Sequence, residues 1–236
     1  MTIRKKSWIC FIIVFAILVL DQVVKIWVKT SFIPDQPVPL FGDWFRMLYV
    51  ENQGMAFGTT LGSGWIPKLF LSLFRLVAIC GIIYYIIKQI RAGVKTEYLI
   101  ALSLILAGAT GNLIDSALYD LIFQFDPTSR FNWLVSDGSY VFNQNGQPSL
   151  RHHGFLFGNV VDMFQFNLTW PSWVPYLGGG DVFSAIWNLA DGAISLGVIM
   201  LLVRQRTYFG KKEKDIVVTD GSTTQESIEN EEHSVS

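Results

Sequence analysis

The stretch Trp8–Val28, WICFIIVFAILVLDQVVKIWV, decides how this chain is read. A helix crossing the hydrocarbon core of a bilayer needs about 20 mostly apolar residues. This run is long enough, yet it carries Asp21 and Lys25 near its far end. Three later runs have the same character: Ile66–Ile87, IPKLFLSLFRLVAICGIIYYII; Tyr98–Leu118, YLIALSLILAGATGNLIDSAL; and Phe183–Val203, FSAIWNLADGAISLGVIMLLV. The first run begins behind Arg4, Lys5 and Lys6 like a secretory leader. No small-x-small cleavage site follows its core, so it is expected to be a retained span.

The composition agrees. Of 236 residues, 51% are hydrophobic and 16% charged, with a net charge of −1. Soluble domains carry roughly 25% charge, so a water-soluble globule is disfavoured, and the apolar content excludes a disordered chain. No basic, aromatic-interleaved patch points to nucleic acid. Cys10 and Cys80 both sit in apolar runs and read as lipid-facing or packed thiols.

Lys and Arg in short flanks orient the spans. They gather at the N-terminus, at Lys88, Arg91 and Lys95 between spans two and three, and from Arg204 to Lys214 after span four. The links at about 30–65 and 119–182 are long and basic-poor, with Arg46 in one and Arg130 and Arg151 in the other. The expected fold is therefore an all-α membrane protein of four transmembrane helices, both termini cytoplasmic and the long links outside. The acidic, aromatic-poor stretch 215–236 reads as a disordered cytoplasmic tail. Phe41–Gly58 and the segment around Asn145-Gly146 mix aromatics, β-formers and turn residues. They fit either interfacial loops or a small β-rich platform.

Charged groups inside spans cost about 2.5–3.5 kcal/mol each on insertion scales, so their positions carry information. Span one has Asp21 and Lys25, span two Arg75, span three Asn112 and Asp115, and span four Asn188 and Asp191. With the orientation above, all of them fall in the outer half of the bilayer. Asn188 and Asp191 come roughly 8–12 Å from the outer end of their span at 1.5 Å per residue. Asp162, framed by Val160, Val161, Met163 and Phe164, precedes that span. The pattern describes a polar pocket open to the outer surface. An ion path would need polar groups through the full depth, and the inner halves are apolar. A scaffold would need no such convergence of acids. No Ser-x-x-Lys, Gly-x-Ser-x-Gly or His-Glu-x-x-His pattern is present. His152 and His153 are adjacent and do not suggest a metal site. What remains is carboxylates, which can share one proton when close. That is the chemistry of an aspartic peptidase, with neither metal nor cofactor.

Five blocks then resemble the lipoprotein signal peptidase (signal peptidase II) family in that family's order. They are DQVVK (Asp21–Lys25), NQGMAFG (Asn52–Gly58), AGATGNLIDS (Ala107–Ser116), VVDMF (Val160–Phe164) and WNLADGAISLG (Trp187–Gly197). The resemblance implies a catalytic pair at Asp162 and Asp191. It implies that Asn52, Gly54, Asn112, Asp115 and Asn188 shape the site or contact substrate, and that Asp21 and Lys25 support the structure. The implied substrate is a diacylglyceryl-modified prolipoprotein, cut just before its lipidated cysteine. Membrane lipids are implied partners, and globomycin-type cyclic peptides implied inhibitors. The implied location is the inner membrane of a bacterium, with the site toward the outer leaflet under a β-cradle built from the outer links. Residues 1–205 would form the peptidase domain.

Three departures stand out. Ser116 stands where the family usually has Arg, leaving Arg75 or Arg151 as candidates for its role. Asp115 and Asp162 are separated by far more chain than usual, so about 120–157 reads as an insertion. Val24 and Ala107 replace the usual Thr and Gly.

Overall fold

The structure is a computed structural model. It describes residues 1–34, 36–52, 65–123, 135–136, 139–140, 142, 144–146 and 154–209. Gly54, Arg130, Arg151, His152, His153 and the stretch 215–236 lie outside the described residues.

Three long apolar helices carry the architecture: α1 (Ile3–Ser31), α2 (Trp65–Arg91) and α3 (Thr96–Ile122). Each is long and apolar enough to cross a membrane. Thr2 caps α1 by accepting from the Lys5 backbone N–H. Lys6 reaches from α1 to the carbonyls of Gly93 and Val94, which ties the start of α1 to the short turn between α2 and α3. Gly93 in that turn sits at φ +75°, where a side chain would be strained. α3 is the central helix, buried along most of its length, while α1 and α2 turn Phe11, Phe15, Phe70, Phe74 and Val77 outward.

The last long apolar run behaves differently from its hydropathy. A continuous span from Phe183 is expected, but the helix α4 covers only Leu189–Val203. Ile186–Trp187 instead form a β-strand. The reason is a capping box. The Asn188 side chain accepts from the Asp191 N–H, and the Asp191 carboxylate accepts from the Asn188 N–H. The pair marks a helix start, so Asn188 and Asp191 lie at the end of α4 and not one or two turns inside it. Its 15 residues run about 22 Å. A short helix α5 (Gln205–Phe209) follows.

Small residues let α4 lie close against α3. A Cβ on Gly108 would meet the Ala190 carbonyl oxygen at 2.2 Å, and one on Gly197 the Ala101 carbonyl oxygen at 2.6 Å. Close backbone approach of this kind is how helices associate without a hydrophobic driving force.

Beside one end of the helices lies a four-stranded antiparallel sheet in the order β1 (Val38–Phe41), β2 (Phe45–Asn52), β5 (Val160–Phe166), β6 (Ile186–Trp187). The platform reading of Phe41–Gly58 therefore holds for its described part. β3 (Val135–Ser136) and β4 (Ser139–Tyr140) form a separate pair. Val50 faces Asp162 across β2–β5, and Phe164 faces Trp187 across β5–β6. One sheet face buries Met47, Tyr49, Val161 and Met163 against Val28 of α1 and Tyr119 of α3. Phe45, Phe164, Phe166 and Trp187 form an aromatic cluster, with ring centroids 5.0–6.5 Å apart.

Candidate active site

Asp162 and Asp191 reach one place from different elements. Asp162 is carried by β5, and β5 is pinned to α3 at its start. The Gly158 N–H donates to the Ser116 carbonyl at 2.8 Å, and a Cβ at 158 would come within 2.2 Å of the Asp115 carbonyl oxygen. The Val161 N–H donates to Asp115 Oδ2 at 3.4 Å, one residue from the acid. Asp191 stands in the first turn of α4, where the helix N-terminus favours a negative group.

One asparagine links the two acids. Asn188 Nδ2 donates to Asp162 Oδ1 at 2.6 Å, and its Oδ1 accepts from the Asp191 N–H at 3.0 Å. Asn52 Nδ2, at the end of β2, donates to Asp162 Oδ2. Asn112 Nδ2 donates to Asp191 Oδ1 at 2.8 Å. Each acid thus receives a side-chain amide from a neighbouring element.

The amides are themselves oriented. Asn112 Oδ1 accepts from Lys25 Nζ at 2.9 Å and from Asn188 Nδ2 at 3.2 Å. A lysine ammonium can only donate, so it fixes which end of the Asn112 amide faces it. The other end, the NH2, then points at Asp191. Lys25 also pairs with Asp21 at 2.9 Å and Asp115 at 2.8 Å, and all three are buried. Asp21 Oδ1 accepts the Ala190 N–H at 2.9 Å, and Gln22 Nε2 donates to Asp115 Oδ1 at 2.9 Å. The Asp21–Lys25 pair therefore reaches the acids through Asn112 and the first turn of α4.

Burial, and then the charge of Asp191, push the Asp162 carboxyl up to about 8, against the opposing pull of Asn188, Lys25 and Asn52. Asp162 is 3% exposed. Asp191 lines a cavity of about 430 Å³ walled by Phe166, Phe183, Ile186 and Trp187, with Gly192 and Ser195 beyond it. A buried acid that keeps its proton near neutral pH thus stands beside one that faces open space. Among the described residues, no group of three or more His, Cys, Asp or Glu is arranged to hold a metal ion.

Sequence reasoning missed a second buried network. Glu51, next to Asn52, accepts from Lys29 and from the Tyr49 hydroxyl, and from Asn159 Nδ2 at 3.1 Å. Lys68 Nζ donates to Asn159 Oδ1 at 2.5 Å. The cluster fastens the end of β2 to α1, α2 and the residue before β5. Its available signal was Lys29, one helical turn after Lys25 on the same face. Arg75 of α2 also points to this region, with Nη1 donating to Ser116 Oγ at 3.3 Å.

The chain is similar to known lipoprotein signal peptidases. The lipoprotein signal peptidase of Porphyromonas gingivalis is 42% identical over 197 residues, covering 81% of this chain and 80% of that one. Those of Amoebophilus asiaticus and Syntrophus aciditrophicus are 33% identical over 210 residues and 34% over 204, covering 86% and 84% of this chain and 79% and 93% of theirs. A bacterial membrane enzyme solved by the in meso method at 2.3 Å resolution superposes with a TM-score of 0.56 at 20% identity, covering 88% of this chain and 93% of that one. The likeness to that enzyme is one of fold. The family model of signal peptidase (SPase) II matches residues 13–206, a range that holds both acids and every amide around them, and the chain belongs to that family.

Proposed function

We propose that Asp162 and Asp191 are the catalytic pair with which this chain cuts diacylglyceryl-modified prolipoproteins just before the lipidated cysteine. As a member of the signal peptidase II family, the chain is an aspartic peptidase that removes signal peptides from prolipoproteins. The observation that carries the assignment is the Asn188 bridge, which joins two acids from separate elements, one of them, Asp191, lining an apolar cavity. Asp191, on the open side, takes a proton from water as the water oxygen attacks the scissile carbonyl carbon. Asp162 holds its proton near neutral pH and donates it to the carbonyl oxygen as negative charge develops there. The tetrahedral intermediate then collapses. The C–N bond breaks, the amine of the cysteine leaves with a proton from Asp191, and Asp162 recovers its own from the second hydroxyl.

In this reading Asn52, Asn112 and Asn188 aim the acids, and Gly54 shapes the site or contacts substrate. Asp115 is a supporting group, because Lys25, Gln22 and the Val161 N–H occupy its oxygens. Asp21 and Lys25 support the amides. Residues 1–205 form the peptidase domain, with α4 as a fourth crossing. Both termini face the cytoplasm, and the sheet covers the site at the outer leaflet of the bacterial inner membrane. Membrane lipids flank the apolar helix faces, and globomycin-type cyclic peptides compete for the site.

The test is cleavage of a diacylglyceryl-modified prolipoprotein peptide in detergent. Wild type should cut before the lipidated cysteine. Asp162→Asn and Asp191→Asn should each lose roughly 10²–10⁴-fold in kcat while remaining folded. Retained turnover in either would remove that residue from the pair.

A further inference from the structure

Arg75 sits along α2 between Phe74 and Leu76, which are 60% and 42% exposed on the apolar outside of the bundle. A cation on a membrane helix faces the bundle interior or a polar cavity, and Arg75 does so. Its Nη1 donates to Ser116 Oγ at 3.3 Å, and Ser116 Oγ donates onward to the Asn112 carbonyl at 3.1 Å. Ser116 is 1% exposed, so the guanidinium ends inside the packing of α2 against α3. Asn112 is the residue whose amide holds Asp191. Burial is the largest influence on the Arg75 guanidinium, and the carboxylates whose charges offset it are Asp191, Asp115 and Asp162. Two of these three are the acid pair. Lys25, another buried cation of this core, is held by Asp21, Asp115 and Asn112.

We propose that Arg75 is a positioning residue of the peptidase, bringing a permanent positive charge from α2 to the acid pair and setting the pH range in which the pair holds a single proton. This rests on the reading of Asp162 and Asp191 as the catalytic pair. A guanidinium stays charged at any working pH. A nearby positive charge favours the ionised form of carboxylates, and in a coupled pair it moves both macroscopic steps to lower pH. Lys25 of α1 acts in the same direction. Asp21 of α1, Asp115 of α3 and Glu51 of β2 act against it, Glu51 being offset by Lys29. The guanidinium also ends at Ser116 Oγ, so the same charge is within reach of a side chain placed at that position of α3.

The experiment measures kcat and KM against pH with a diacylglyceryl-modified prolipoprotein peptide. It compares wild type, Arg75→Gln, Arg75→Lys, and Arg75→Gln combined with Ser116→Arg. Arg75→Gln should lower kcat about 10-fold or more and move the acid limb of the profile up by roughly one pH unit. Arg75→Lys should keep the limb near its wild-type position, and adding Ser116→Arg to Arg75→Gln should bring it back. Unmoved limbs in Arg75→Gln, with the loss confined to KM, would overturn the proposal. If Arg75→Gln fails to fold, the double variant decides. Folded protein with the wild-type limb supports the proposal, and a displaced limb or no folded protein overturns it. Turnover by Asp191→Asn or Asp162→Asn would sink the catalytic pair itself. An inactive Asp191→Asn beside an unshifted Arg75→Gln would sink only the role of Arg75.

Discussion

Asp162 shows how a single buried acid couples chemistry to stability. Its carboxyl is pushed up to about 8 in the folded chain, against ~3.9 for a free aspartate. A proton held more tightly in the folded state contributes stability that is complete below ~3.9 and is lost as pH rises through the folded value. Wild type should therefore melt at a lower temperature at about pH 9 than at about pH 5, and Asp162→Asn should lose less over that interval. Parallel curves for the two proteins would mean that Asp162 carries no such burden. Lys25 makes the opposite kind of residue. Its removal leaves Asp21 and Asp115 buried without their cation, a loss of roughly 3–5 kcal/mol. Lys25→Met should show this in thermal unfolding in detergent, and adding Asp115→Asn should recover part of it. Lys25 was recognisable in the sequence as one half of an i,i+4 pair with Asp21. Its bond to Asn112, through which it reaches Asp191, was not, because that contact joins positions 87 apart in the chain.

At the scale of elements, the contact of α3 with α4 governs the site, since α4 presents Asn188 and Asp191 to Asn112 of α3. Gly108 and Gly197 allow that approach. Gly108→Leu or Gly197→Leu should cost roughly 1–3 kcal/mol by overpacking. Gly108→Leu should also lower kcat, because it forces the first turn of α4 away from α3. Activity equal to wild type in a folded Gly108→Leu protein would show that the acids tolerate a displaced α4. Hydropathy placed α1, α2 and α3 closely. It overran the start of α4, because Phe183, Ala185, Ile186 and Trp187 are as apolar as the helix that follows. A capping box decides that boundary, and it depends on hydrogen bonds that a hydropathy sum does not contain.

For the whole molecule, the distribution of charge makes a topology that can be tested by labelling. In a background lacking Cys10 and Cys80, Asn145→Cys should react with a membrane-impermeant maleimide from outside. Ala92→Cys, in the turn between α2 and α3, should react only after permeabilisation. The reverse pattern would turn the bundle over and place the sheet and the acid pair on the cytoplasmic side. The exposed apolar flanks of α1 and α2 fit immersion in lipid, because they lack the burial that a water-soluble bundle of the same helices would need.

The three long apolar helices and the charged residues set within apolar runs could be read in the order of residues, because each rests on a local property. Runs of apolar side chains mark spans, Lys and Arg in short flanks orient them, and a charge inside an apolar run is costly enough to signal a purpose. The relation between Asp162 and Asp191 could be read only as far as the five ordered blocks carried it. The strand Ile186–Trp187, the Asn188 bridge, the Glu51 cluster beside Asn52 and the meeting of Arg75 with Ser116 belong to tertiary structure. Each depends on side-chain hydrogen bonds or strand pairing between elements separated by tens of residues. Such bonds are directional and short, so they exist only once packing has brought their partners within about 3 Å.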